Sequence, residues 1–72
     1  MSAEAAESAV AFAPLAVDTD TAARMLGVSP STIRAHMRRG ELIPRYSGTK
    51  PIFPVEELRC FLDRLPWEPK HL

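Results

Sequence analysis

A chain of 72 residues with 46% hydrophobic content is long enough for one small domain and too short for two, and its formal net charge is zero. The single cysteine, Cys60, excludes an internal disulfide and any zinc site built on paired thiolates, and no apolar run approaches the ~18 residues of a membrane span. The charge is unevenly placed: residues 29–51 carry Arg34, Arg38, Arg39, Arg45 and Lys50 against Glu41, a balance of +4, while 1–28 stand at −3 and 52–72 at −1. Screened fields act on what touches them, so this central stretch, not the total, decides what the surface attracts.

In chain order, residues 1–16 are alanine-rich and interrupted by Pro14, and read as a flexible tail, with Val10, Phe12 and Leu15 able to fold back onto the domain. A glutamate pair, Glu4 and Glu7, stands where a signal peptide has a basic start, so a cytoplasmic location is expected. The ordered part is expected from Val17. Asp18 or Thr19 can cap a helix, Asp20 suits its positive end, and Ala22, Ala23 and Leu26 form an apolar face. Gly27 suits the left-handed residue after a helix, and Ser29-Pro30 restarts one with a capping serine and a proline at the first helical position. This second helix turns Ile33 and Met37 inward and stops at Gly40. Two short helices joined through Gly27-Val28-Ser29 make a helix-turn-helix over about Thr19 to Arg39.

Beyond Gly40, Leu42–Tyr46 and Pro51–Phe53 flank Ser47-Gly48-Thr49-Lys50, which reads as a hairpin whose prolines suit an exposed two-stranded wing. Pro54 is expected to open a last helix carrying the stripe Val55, Leu58, Phe61, Leu62 and Leu65, ended by Pro66, with a short tail over 66–72. The fold class is therefore mainly α with a small β-hairpin: three helices plus a two-stranded wing over 17–65. The expected core is Ala22, Ala23, Leu26, Val28, Ile33, Met37, Ile43, Phe53, Val55, Leu58, Phe61 and Leu62.

The outward face of the second helix holds Ser31, Thr32, Arg34, Ala35 and Arg38. An α-helix fits the major groove of double-stranded DNA, where arginine pairs with guanine and hydroxyls reach bases or phosphates. Arg34 is the candidate base contact; Arg38 and Arg39 lie further back and suit the phosphates, or alternatively cap the helix end. His36 reads as a packing residue. Arg45, Tyr46, Ser47, Gly48, Thr49 and Lys50 form a basic wing tip able to cross a phosphate ridge or enter the minor groove, or alternatively a solvated turn. No base accompanies Cys60 and no glycine-rich phosphate loop follows a strand, so neither an enzyme nor a cofactor or metal site is expected.

The run Asp18 to Arg34, then Arg39-Gly40-Glu41-Leu42-Ile43-Pro44, and later Ile52 to Leu58 with Phe61-Leu62, resembles the excisionase-type, MerR-like winged helix-turn-helix family over about Val17 to Leu65. The resemblance implies a second helix in the major groove and a wing along the minor groove or its phosphates. It also implies, for the excisionase members, DNA bending and an integrase or recombinase partner turned towards excision. No long dimerisation helix follows Leu65, which departs from the MerR regulators and leads to the expectation of an accessory factor. With about four phosphates contacted, the logarithmic salt slope of binding is expected near roughly −3.6, weak enough to call for cooperative self-association on DNA. A small operator-binding regulator and a small-terminase-like adaptor are the alternatives.

Overall fold

The computed structural model describes residues 13–69, ordered as β1 (Ala16–Val17), α1 (Thr19–Leu26), α2 (Pro30–Arg38), β2 (Arg45–Ser47), β3 (Lys50–Pro54) and α3 (Val55–Arg64). The expected tail up to residue 12, with Val10 and Phe12, and the final residues 70–72 lie outside the described residues.

Local capping delimits the first two helices. Asp18 Oδ1 accepts the Thr21 N–H at 2.9 Å, satisfying a donor left free in the first turn of α1. At its end Gly27 adopts φ 75°, with Gly27 N–H donating to Arg24 O at 3.3 Å and Val28 N–H to Ala23 O at 2.9 Å. This pair of bonds is a Schellman motif. Ser29 Oγ then accepts the Thr32 N–H at 3.2 Å, and Pro30 opens α2. A second Schellman motif ends α2: Gly40 at φ 75° donates to Met37 O at 3.0 Å, and Glu41 N–H to His36 O at 2.9 Å.

The sheet is antiparallel in the order β1-β3-β2, so the expected two-stranded wing gains a third strand. Val17 pairs with Phe53 and Ala16 with Pro54, and Leu15 O accepts the Val55 N–H at 2.9 Å. Ordered pairing thus begins at Leu15–Ala16, inside the stretch expected to be tail. A two-residue strand leaves no periodicity to detect; its pairing is decided by residues far along the chain, Phe53 and Pro54. β3 carries Pro51 and Pro54 although it is central, because each half is paired on one side only: Lys50–Ile52 with β2, Phe53–Pro54 with β1. The turn Gly48-Thr49 has positive φ at Gly48 alone, the pattern of a type II′ hairpin turn.

The core is Val17, Ala22, Ala23, Ile33, Leu42, Phe53, Leu58 and Phe61, with Leu26, Met37 and Val55 packed at its edge. Three expected core residues are displaced. Leu42 is fully buried and Ile43 is 55% exposed, the reverse of the expected phase. Leu42 lies in a bend, where no strand alternation selects the inward residue; the common core takes Leu42, and the Ile43 N–H is held by Glu57 Oε2 of the last helix at 3.2 Å. Val28 is 39% exposed; its part in the turn is made by its main-chain N–H. Leu62 is 55% exposed, whereas Leu58 and Phe61 on the same helix are buried in the core, with β3, α1 and the edge of His36 packed against α3. The last helix also starts one residue later than expected. Pro54 is its extended N-cap and offers no side-chain bond, and the Leu15 carbonyl takes up the first amide.

Candidate nucleic-acid interface

α2 buries Ile33 completely and tucks Met37 and His36 partly against the rest of the domain. Residues at i, i+3 and i+4 share a helix face, so Ser31, Arg34, Ala35 and Arg38 fall on the opposite one. Ser31, Arg34 and Arg38 point away from the core there, and Ala35 is half-buried. Neither Arg34 nor Arg38 has an ion-pair partner among the described residues. Thr32 sits at the margin, its hydroxyl 3.0 Å from that of Ser29. The first turn of α2 carries no acidic side chain, so nothing there repels a phosphate from the exposed helix N-terminus.

The wing presents its cations on one face. Paired residues and residues two apart share a side of a sheet, so Arg45, Ser47, Lys50 and Ile52 line one face and Tyr46, Pro51 and Phe53 the other. Phe53 marks the second as the core side. All six expected wing residues, Arg45 to Lys50, are exposed. Their surroundings temper them: Lys50 borders a shallow cleft with Asp18 and Asp20, and Arg45 borders another with Glu56, Glu57 and Cys60. Asp18 is held below the usual carboxylate range first by the Thr21 amide, with Lys50 and Arg24 adding a smaller pull.

Arg39 is placed elsewhere. Its Nε donates to Glu41 Oε2 at 3.1 Å, while Glu41 Oε1 lies 2.7 Å from His36 Nδ1. With Glu41 ionised, that nitrogen carries the proton and donates, so the approach of Arg39 Nη2 to it at 3.2 Å joins two donors and adds no bond. Glu41 is pulled down to about 2 by the hydrogen bonds from Arg39 and His36. The His36 ring meets Phe61 edge-on, with centroids 4.9 Å apart, as expected of a packing residue. In the sequence Glu41 stands out only as the one acid of the basic stretch and as part of the run that carries the family resemblance. The signal for it was Gly40: a glycine ending a helix in a Schellman motif folds the next residue back over the one five before it, here His36.

The helix-turn-helix domain family matches residues 17–66. The chain belongs to the helix-turn-helix domain family. This is a DNA-binding family that includes excisionase-like proteins, and its members are typically not enzymes. The matched span runs from Val17 in β1 through both capped helices and the wing to the end of α3, so the helix-turn-helix assignment covers the whole core. No curated protein and no solved structure matches the chain. Among the described residues no group of His, Cys, Asp or Glu is arranged to hold a metal, and no helix is long and apolar enough to cross a membrane.

Proposed function

We propose that this helix-turn-helix chain is a sequence-specific DNA-binding and DNA-bending accessory protein of the excisionase type, which turns an integrase towards excision. The observation that carries the DNA-binding part is the outward face of α2, where Ser31, Arg34 and Arg38 stand clear of the core on a helix whose other side is fixed by Ile33. In this reading α2 enters the major groove with Ser31 and Thr32 foremost, Arg34 meets a base edge, and Ala35 and Arg38 follow along the groove wall. Arg45, Tyr46, Ser47, Gly48, Thr49 and Lys50 make the wing contacts to phosphates or the adjoining minor groove. The excisionase role rests on the resemblance across Asp18 to Pro44 and Ile52 to Leu62. Binding by so few cations calls for neighbouring copies to cooperate on repeated sites.

The test is a footprint on DNA flanking the gene, with and without a candidate integrase, alongside a gel assay of bending. A protected run of adjacent repeats, slowed migration of centrally bound fragments and stimulated excision support the proposal. A single isolated footprint with no bend overturns the accessory role and leaves DNA reading intact. Unchanged binding after Arg34→Ala and Lys50→Ala overturns the groove assignment as well.

A further inference from the structure

Arg38 and Arg39 are sequence neighbours with opposite surroundings. Arg38 shares the outward face with Arg34, four residues earlier, and has no ion-pair partner among the described residues. Arg39 follows His36 by three residues and turns with it towards α3, into a groove of about 700 Å³ that Glu41, Glu57, Phe61 and Arg64 also line. Its partner is built in from several directions. The Glu41 N–H is spent on His36 O at 2.9 Å, and the Glu41 carbonyl accepts Arg64 Nη2 at 3.1 Å. Arg64 also reaches Glu57 Oε2 at 3.3 Å, and that oxygen accepts the Ile43 N–H at 3.2 Å. A lone exposed ion pair would yield to a phosphate. Here the carboxylate has two side-chain donors and a main chain tied at both its N–H and its C=O, so it does not follow Arg39 away. A phosphate approaching Arg39 meets the Glu41 charge in the same place.

We propose that Glu41 is a specificity-determining residue: it holds Arg39 on the α3 side of the helix end, keeps that guanidinium off the DNA phosphates, and leaves backbone contact to Arg38, Arg45 and Lys50. The inference rests on the DNA-binding reading above. Phosphate contacts carry no sequence information and supply most of the affinity for arbitrary DNA. Withholding one cation at the end of the reading helix lowers that background without touching the base-reading face.

The experiment measures, by fluorescence anisotropy, the salt dependence of binding of the full chain to a short labelled duplex of arbitrary sequence. Each phosphate contact contributes about 0.9 to the logarithmic slope, or about a 3.5-fold change in affinity between about 50 and about 200 mM salt. Arg38→Ala is expected to flatten the slope by about 0.9 and Arg39→Ala to leave it unchanged. Glu41→Gln is expected to steepen it by about 0.9 through the freed Arg39, and the double variant Glu41→Gln with Arg39→Ala to return it to the parent value. Equal flattening by Arg39→Ala and Arg38→Ala overturns the role of Glu41 and leaves the DNA reading standing. So does an unsteepened slope in a Glu41→Gln variant that is folded at the assay temperature; if that variant is unfolded there, Arg39→Ala alone decides the matter. A parent chain that does not bind the duplex, or whose slope Arg38→Ala and Lys50→Ala both leave unchanged, overturns the DNA reading and this inference with it.

Discussion

Helix α2 and the wing each offer two cations, Arg34 and Arg38 on α2 and Arg45 and Lys50 on the hairpin, yet they are held in different ways. α2 is closed at both ends by bonds within its own neighbourhood, Ser29 to Thr32 at one end and Gly40 and Glu41 back to Met37 and His36 at the other. Its inner face is locked by Ile33. β2 has no buried residue; the wing is tied to the domain through β3, whose Phe53 reaches the core. The wing cations also stand beside acidic groups, Asp18 and Asp20 near Lys50 and Glu56 and Glu57 near Arg45. A helix with fixed geometry suits base readout, which demands placement; a hairpin on one anchor suits phosphates, which tolerate adjustment.

The severest test of this division is Phe53→Ala, expected to cost about 3–5 kcal/mol in denaturant unfolding. Because Phe53 pairs with Val17 and fills the common core, hydrogen exchange should show α2 and the wing losing protection together. Loss confined to the wing would mean the helix pair stands without the sheet. Next, Arg34→Ala is expected to cost about 1–3 kcal/mol in binding and relax preference at one base position. Lys50→Ala should weaken binding evenly across sequences and flatten the salt slope by about 0.9. Sequence-dependent loss from Lys50→Ala would move base reading to the wing.

A smaller effect, about 1 kcal/mol of stability, is expected from Ser29→Ala, measured by thermal melting, because the Thr32 amide loses its side-chain acceptor at an exposed helix start and keeps only the Ser29 carbonyl at 3.0 Å. The smallest concerns acid. Glu41 binds its proton only near about 2 when folded, against an ordinary 4.5, so its ion pairs add stability that is complete above 4.5 and lost as pH falls through about 2. In melts compared across that range, the advantage of the parent over Glu41→Gln should shrink to nothing at the acid end. An advantage that persists below pH of about 2 would assign the effect of Glu41 to packing, not charge.

Local sequence sets the punctuation of this protein. Asp18, Gly27, Ser29-Pro30, Gly40 and Gly48 each act on residues within five positions, so the ends of α1 and α2 and the hairpin turn were legible from spacing alone. The outward face of α2 was legible for the same reason, since Ile33 and Met37 fix the helix rotation and Arg34 and Arg38 follow. The assembled fold decided which of Leu42 and Ile43 is buried, that Ala16–Val17 pairs with Phe53–Pro54, that α3 starts on a carbonyl from Leu15, and that Leu62 is left in solvent. These depend on groups far along the chain whose positions no local pattern carries. The helix-turn-helix from Thr19 to Arg39 was thus written in caps and glycines, while the fate of its last residue waited on the fold. Arg39 belongs by sequence with Arg38, and by structure with Glu41 and α3.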